Sequence, residues 1–340
     1  MEYTTFGRTG LEVSRLCLGC GGLSYSDTWP WSACDREESL AVLERALDAG
    51  INFIDTANVY SYGESEELVG EAIDGRRDDV VLASKVGQSL GQDPNSDGLS
   101  KSHVIDQAER SLERLDTDYL DIYYAHWWDH DTDIRETLAA FDHLVSEGKV
   151  RYVGACNLTG AQLERALAAA DAQHTERYVA VQPEYSLLRR HEEVGLLPVA
   201  DERDLGVATY APLAAGFLTG EYDRDTPADA FETGSGETYR DLSKYATPAN
   251  FDVVDAVTDI AAREGVHPVA VSVAWVLHQD VVDAPIVGPQ TTEHLDTYLE
   301  ALEVSLSDAD LERLEAPVEP AYTPGNLPPG GDWAGERDEY

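Results

Sequence analysis

Three stretches, INFID at 51–55, VVLASK at 80–85 and YLDIYYAH at 119–126, decide the fold. Each is a short apolar run of the length typical of a buried strand. Amphipathic segments with helical spacing, such as ESLAVLERALDAG at 38–50 and SHVIDQAERSLERL at 102–115, precede or separate them. Because strands that alternate with helices form parallel sheets, these stretches predict a parallel sheet covered by helices.

The same alternation continues along the chain and predicts eight strands. After a short hairpin at 3–14, they are predicted at 15–18, 51–54, 80–83, 119–123, 150–154, 178–181, 206–209 and 284–287. An extra helical pair is predicted around 251–279, before the last strand. We expect a (β/α)8 TIM barrel and not a doubly wound sheet, because candidate polar residues follow nearly every strand instead of one switch point.

Polar side chains stand where the three strands end. Asp55, Lys85 and His126 close the three runs, and Tyr60 lies in the loop that Asp55 opens. The carboxyl ends of barrel strands form the rim of the active site, and polar residues at this rim indicate a catalytic role and not a packing role. Any one of these residues could be an ordinary polar loop residue. Their joint placement on consecutive strand ends predicts a site for proton transfer.

Tyr60 is the predicted general acid of this site. A phenol has a pKa near ~10, and a general acid works best near ambient pH. We expect Lys85 to lower the pKa of Tyr60, although burial alone would raise it, and Asp55 to keep Lys85 charged. We expect His126 to orient or hydrogen-bond a substrate oxygen, and to assist proton transfer because imidazole titrates near neutrality.

The motifs DTANVYSYGESE at 55–66, SK at 84–85 and DIYYAHWWD at 121–129 resemble the active-site motifs of the aldo-keto reductase superfamily. The resemblance extends from FGRTGLEVSRLCLGCGG at 6–22 to PIVGPQTTEHL at 285–295. It is closest to the branch that contains potassium-channel β subunits and bacterial stress-type reductases. The family's catalytic aspartate, tyrosine, lysine and histidine fall on Asp55, Tyr60, Lys85 and His126.

The resemblance implies a nicotinamide cofactor, NADP(H) or NAD(H), bound across the barrel mouth. It places Asn157 and Gln182 on the carboxamide and Tyr210 on the nicotinamide ring. No G-x-G-x-x-G follows the first strand, so a Rossmann site is not supported. Asn157 could instead be a turn former, and Tyr210 could be core. The implied cofactor contacts are Gly22, Asp55, Asn157, Gln182, Tyr210, Pro212, Leu213, Gly216, Gly288, Gln290 and His294.

The chain departs from the family pattern at three positions near the implied cofactor contacts. Cys156 stands where serine is usual, which weakens one hydrogen bond to the carboxamide. Glu221 and Gln290 stand where relatives often carry a cation. We therefore expect few charge-assisted hydrogen bonds to the 2′-phosphate of NADP(H). NADP(H) is the family expectation, and use of NAD(H) or of both cofactors stays open.

Composition predicts one domain over 1–340, with a C-terminal loop or tail from about 317 that could fold over the barrel mouth. Barrels of this type routinely exceed ~250 residues, and no Gly/Ser- or Pro-rich linker interrupts the chain. No apolar run approaches the ~20 residues that span a membrane. No signal peptide precedes the first strand, so we expect a cytoplasmic protein without a membrane partner.

The charge balance is strongly acidic. With 65 acidic and 24 basic residues the net charge is −41. Such a field repels phosphate backbones, so nucleic acid is not an expected partner. Lysine occurs only at Lys85, Lys101, Lys149 and Lys244, and acidic residues are spread over helices and loops. This pattern is typical of proteins adapted to high salt, although an acidic protein from an ordinary environment is the alternative.

The substrate is predicted only as a class. Trp29 and Trp31 follow the first strand, and Trp127 and Trp128 follow the fourth; all four are expected at an aromatic mouth. A small aldehyde, ketone or sugar fits such a mouth. The CxxC of Cys17 and Cys20 lacks a second ligand pair, so no metal is expected. The oligomeric state stays open.

Reduction of a carbonyl by hydride transfer is the predicted function. A redox-sensing regulatory subunit, with the same barrel holding a cofactor and turning over slowly, is one alternative. A lyase that uses Lys85 as a Schiff-base nucleophile is another. It requires a neutral lysine, whereas Asp55 favours a charged one.

Salt is predicted to stabilise the fold. Because the net charge is −41, we expect the melting temperature to rise steeply from dilute buffer to about 1 M and on to about 3 M NaCl, as self-repulsion is screened. Circular dichroism during heating measures it. A melting temperature that stays flat across the series would contradict the halophilic interpretation.

Overall fold

A computed structural model describes residues 1–26, 34–88, 91, 95–231 and 242–320. Trp29, Trp31 and the C-terminal segment from 321 to 340 lie outside the described residues. The expectations of an aromatic mouth at the first two and of a loop over the mouth at the last therefore stay predictions.

The described chain forms a closed barrel of parallel strands, which confirms the predicted (β/α)8 fold. Around the barrel the strands follow one another in chain order, and the last one closes on the first. A separate antiparallel hairpin, β1 (Tyr3–Thr5) and β2 (Glu12–Ser14), precedes it. The barrel strands are β3 Cys17–Gly19, β4 Phe53–Asp55, β5 Val81–Val86, β6 Leu120–Ala125, β7 Val150–Cys156, β8 Ala180–Gln182, β9 Gly206–Thr209 and β10 Ala284–Val287.

Helices connect the strands on the outside of the barrel. Side-chain caps fix several helix starts: Asp35 and Thr159 each form a capping box, which satisfies backbone N–H groups at the first turn. The helices are α1 Arg36–Asp48, α2 Glu64–Ala72, α3 Lys101–Arg114, α4 Ile134–Ser146, α5 Gly160–Gln173, α6 Leu196–Glu202, α7 Pro248–Glu264, α8 Pro268–Leu277, α9 Thr292–Leu299 and α10 Asp308–Glu315. The predicted extra pair corresponds to α7 and α8.

Among the described residues, no single helix has both the length and the apolar character that a membrane span requires. In the described part of the chain, one pair of helices, α7 and α8, meets the criterion when taken together, and the pair is bent by 102° at the break between them.

The predicted first strand begins too early. The structure starts β3 at Cys17, whereas the sequence pattern suggested 15. Arg15 instead donates to the carbonyl oxygens of Leu277, Val282 and Asp283. These contacts hold the chain before Cys17 along the amino-terminal rim of the barrel.

The hairpin closes the amino-terminal end of the barrel. Phe6 is fully buried and meets Phe53 edge to face, with ring centroids 5.3 Å apart. Gly206 makes room for it, since a Cβ there would lie 2.7 Å from the ring of Phe6. Further up, Gly154 makes room for Tyr124 in the same way, at 2.4 Å. The interior is therefore packed below the carboxyl ends of the strands, where the candidate polar residues lie.

Candidate active site

Adjacent strands bring the predicted site residues together. Asp55 is the last residue of β4, Lys85 lies near the end of β5, and His126 follows β6 directly. Because β4, β5 and β6 are neighbours in the barrel, these side chains share its carboxyl end. Tyr60 begins a 3₁₀ turn, Tyr60–Gly63, that leads into α2.

Lys85 is the centre of the group. Its Nζ donates to Oδ1 of Asp55, to the carbonyl oxygen of Thr56 at 2.9 Å and to the hydroxyl of Tyr60 at 3.0 Å. All three ammonium protons are thus used. The other carboxylate oxygen of Asp55 accepts from Nε2 of Gln182 at 2.9 Å. Lys85 is fully buried and Asp55 is 2% exposed, so the ion pair is shielded from water.

Burial and charge oppose each other in this pair. Burial raises the pKa of Asp55, whereas Lys85 and Gln182 lower it. Burial lowers the pKa of Lys85, but Asp55 and Tyr60 raise it by more, so the pKa of Lys85 lies above its usual range. We conclude that Lys85 is an ammonium held against a carboxylate.

Tyr60 keeps its proton. Burial raises its pKa to about 12, and Lys85, which lowers it, offsets burial only in part. The expectation that Lys85 would bring the pKa of Tyr60 towards neutrality is therefore wrong, because desolvation of the phenolate outweighs the nearby cation. The ring lies beside Gly21, where an added Cβ would stand 3.6 Å from it, in ordinary van der Waals contact. The hydroxyl is a protonated donor throughout the neutral range.

His126 is a neutral imidazole. Burial, and then Lys85, lower its pKa well below the usual value, so the expected titration near neutrality is wrong. The ring stands edge to face against Tyr60, with centroids 5.9 Å apart, and stacks on Trp127 at 5.8 Å. Among the described residues its buried Nδ1 has no hydrogen-bond partner. Trp127 thus adjoins the site, while Trp128 packs against the hydrophobic core.

The turn after Tyr60 has an unfavourable backbone. Ser61 and Tyr62 have φ of 50° and 57°, and Gly63 has φ of 101°. A left-handed residue other than glycine costs of order 1–3 kcal/mol and persists only where surrounding contacts impose it. One such contact is the hydroxyl of Ser61, which donates to the carbonyl oxygen of Leu23 at 3.0 Å. This turn was not foreseen from the sequence.

Two of the implied cofactor residues form a network with His126. Asn157 follows β7 directly and is left-handed, with φ of 56°. Its Nδ2 donates to the carbonyl oxygen of His126 at 3.0 Å, and its Oδ1 accepts from the hydroxyl of Tyr210 at 2.8 Å. Gln182, the last residue of β8, is bound to Asp55 instead. The structure thus places these amides and the Tyr210 ring next to the Tyr60 group.

The remaining implied contacts follow β3, β9 and β10 along the chain. Gly22, Pro212, Leu213, Gly216, Gly288 and Gln290 lie in the connections after these strands, and His294 lies in the first turn of α9. Gly216 is left-handed, with φ of 99°. A Cβ placed on Gly216 or Gly288 would meet nothing within 4 Å. The main chain is therefore open at both points, and a ligand can approach it closely.

Cysteines and acidic residues do not assemble a metal site in the part of the chain that the structure describes. No group of three or more His, Cys, Asp or Glu side chains there could hold an ion. Cys17, Cys20, Cys34 and Cys156 are all buried, and none of them forms a disulfide.

A family model for aldo/keto reductases matches residues 16–319. The chain belongs to the aldo/keto reductase family. It is 36% identical over 326 residues to an uncharacterized oxidoreductase of Bacillus subtilis, YrpG, with 92% of this chain and 95% of that protein covered. It is 33% identical over 327 residues to a probable voltage-gated potassium channel subunit beta of Oryza sativa subsp. japonica, with 94% and 97% covered.

A third relative is the aldo-keto reductase YhdN of Bacillus subtilis, 31% identical over 326 residues, with 94% of each chain covered. The predicted family and branch are confirmed. Family membership and the oxidoreductase names support an oxidoreductase activity for this aldo/keto reductase.

The neutral state of His126 can be measured. Because burial and Lys85 both disfavour the imidazolium, we expect His126 to stay neutral between about pH 5 and 8, where free imidazole titrates. Nitrogen NMR of histidine-labelled protein reports the state, and the signal absent from His126→Gln identifies it. Free histidine in the same buffer is the reference. Protonation of His126 near pH 6.5 would contradict this prediction.

Proposed function

We propose that this protein is an NAD(P)H-dependent reductase that converts an aldehyde or ketone into an alcohol, with Tyr60 as the general acid. The observation that carries the proposal is the hydrogen bond of 3.0 Å that Nζ of the buried Lys85 donates to the hydroxyl of the half-buried Tyr60. Lys85 is in turn paired with Asp55. A protonated phenol beside a fixed cation suits the delivery of a proton to a substrate oxygen.

The residues at the barrel mouth fit a nicotinamide cofactor. Tyr210 is partly exposed, and the hydrogen bond that its hydroxyl donates to Oδ1 of Asn157 fixes the ring. One aromatic face can therefore stack on a planar ligand. The open main chain at Gly216 and Gly288 supports the close approach of a phosphate group there. Asn157 and Gln182 would hold the carboxamide. When bound, the reduced cofactor supplies the hydride.

Tyr60 would protonate the substrate oxygen as negative charge develops on it. Although the pKa of Tyr60 is raised to about 12, a phenol remains a stronger acid than the product alcohol, whose pKa is near the ~15.7 of water. The proton therefore moves downhill. Lys85 would stabilise the phenolate that remains, since a cation in a buried site interacts more strongly with charge than in water.

His126 would act as a neutral hydrogen-bond donor that orients the carbonyl oxygen. Its depressed pKa excludes a role as an imidazolium acid at neutral pH. The edge-to-face contact of its ring with Tyr60, with centroids 5.9 Å apart, supports a joint role for the two side chains. Together they would direct one oxygen atom, which lowers the entropy cost of the reactive geometry.

The two alternatives differ in their support. A Schiff-base lyase needs Lys85 neutral, and the raised pKa of Lys85 disfavours it. A regulatory subunit with slow turnover is suggested by the similarity to a probable channel β subunit. Steady-state rates distinguish this alternative from a reductase, since a negligible rate together with a co-purifying partner protein would favour a regulatory subunit.

Four expectations from the sequence stay predictions: one domain over 1–340, a cytoplasmic location, the absence of nucleic-acid partners and adaptation to high salt.

Replacing Tyr60 tests the acid. Tyr60→Phe should lower the rate of carbonyl reduction by about 10² to 10⁴, because proton transfer from a positioned acid is worth this much, while cofactor affinity stays nearly unchanged. NADPH oxidation with a panel of small aldehydes and ketones measures the rate, and fluorescence titration measures the affinity. Tyr62→Phe, which alters an exposed tyrosine in the same turn, is the matched control. Activity of Tyr60→Phe close to that of the unmodified protein would refute the assignment.

Replacing Gln290 tests the cofactor preference. We expect weak discrimination, with NADP(H) somewhat favoured. Gln290→Arg should strengthen NADPH binding by about ten- to a hundredfold, since a charge-assisted hydrogen bond to phosphate contributes roughly 1.5 to 3 kcal/mol, and should leave NADH nearly unchanged. The effect should be largest at low salt. Gln290→Met, of similar length without charge, is the control. Equal effects on both cofactors would show that Gln290 does not face the 2′-phosphate.

A further inference from the structure

We infer that Glu66, together with Arg114 and Ser84, is a positioning residue that holds Tyr60 against Lys85. The inference rests on the proposed role of Tyr60 as the general acid. Glu66 touches neither the substrate nor the reacting atoms, and acts through the turn that carries Tyr60.

Glu66 is a fully buried carboxylate on α2. Its Oε1 accepts from the hydroxyl of Ser84 at 2.6 Å, and its Oε2 accepts from Nε and Nη2 of Arg114 at 2.7 and 2.6 Å. The side chain of Arg114 is 19% exposed. Both carboxylate oxygens are therefore satisfied, one from β5 and the other from α3.

Ser84 connects Glu66 to the strand that carries Lys85. Successive side chains of a strand point to opposite faces, so Lys85 enters the barrel while Ser84 faces the helices outside it. Glu66 thus holds β5 from outside at the residue next to Lys85. A change in this contact reaches the base of the Lys85 side chain through one peptide unit.

Arg114 connects the same carboxylate to the turn that carries Tyr60. The turn Tyr60–Gly63 leads directly into α2, whose third residue is Glu66. Gly63 lies on the Arg114 side chain, since a Cβ at Gly63 would stand 2.7 Å from its Cδ. The buried ion pair therefore fixes the turn from its carboxyl end, as the Ser61 contact with Leu23 fixes it from within.

The strained backbone explains why such an anchor matters. Ser61 and Tyr62 are left-handed, a conformation that the chain does not adopt by local preference. Tertiary contacts must therefore define where the turn lies. If the Glu66 contacts are lost, the turn can relax, and the hydroxyl of Tyr60 shifts relative to Nζ of Lys85. A shift of about 1 Å at a reacting group can lower a rate by about a hundredfold.

A purely structural ion pair is the competing interpretation. In that case, loss of the ion pair would lower the free energy of unfolding, and with it the fraction of folded protein, by the same amount whether residue 60 is tyrosine or phenylalanine. A positioning role predicts that the loss of rate depends on the Tyr60 hydroxyl. The two interpretations separate in a double-mutant cycle.

Ser84→Ala and Glu66→Gln remove the contacts with the least change of shape. We expect kcat for carbonyl reduction, per cofactor-binding site, to fall about tenfold in Ser84→Ala and further in Glu66→Gln, with cofactor affinity changed by less than about twofold. Ser111→Ala is the matched control, because Ser111 is a buried serine on α3 whose hydroxyl accepts from Nη2 of the same Arg114, at 3.4 Å. It should retain kcat within about twofold.

The cycle repeats Glu66→Gln and Ser84→Ala in the Tyr60→Phe background, with single-turnover oxidation of NADPH as the measurement. We expect each to lower the residual rate by less than about twofold there. Equal losses in both backgrounds, or an unchanged kcat for Ser84→Ala alone, would overturn the inference. If Glu66→Gln does not fold, Ser84→Ala decides. Full activity of Tyr60→Phe would instead refute the proposed function, which separates the two failures.

Discussion

The buried ion pair between Lys85 and Asp55 is the constraint on which the rest of the site depends. Removal of two charges from water costs several kcal/mol per ion, which only close geometry and further hydrogen bonds offset. Here the Thr56 carbonyl, the Tyr60 hydroxyl and the Gln182 amide supply those bonds. Each partner is thereby fixed in place. The hydrogen bonds that stabilise the buried charges thus position residues from β4, β5 and β8 and from the turn that begins at Tyr60.

The same burial sets the protonation states. It keeps Tyr60 protonated by raising its pKa to about 12, and it keeps His126 neutral by lowering its pKa. A neutral donor and a neutral imidazole can both face one substrate oxygen without a net charge to solvate. In the proposed mechanism, Lys85 supplies the charge that stabilises a phenolate at Tyr60, at a position that a substrate does not have to reach.

Strain is concentrated where the chemistry is proposed. Ser61, Tyr62 and Asn157 are left-handed at the carboxyl end of the barrel, whereas His174 and Asp204 are left-handed at the ends of helices, where such residues are common. Left-handed residues at the mouth need contacts from elsewhere in the fold. The Glu66 cluster with Arg114 and Ser84 provides such contacts for the turn after Tyr60.

The sequence by itself determined the alternation of strands and helices, and with it the barrel and the strand ends at which Asp55, Lys85 and His126 stand, because the spacing of apolar residues is a local property. Only the tertiary structure decided that the pKa of Tyr60 rises on balance, that His126 stays neutral and that Glu66 holds β5. Burial and contact depend on neighbours distant in the chain: Glu66 meets Ser84 and Arg114 across 18 and 48 residues. In the sequence, the position of Glu66 close to the apolar residues Leu68 and Val69 was a signal of a buried carboxylate. Its partners are identified only in the tertiary structure, where α2 packs beside β5 and α3.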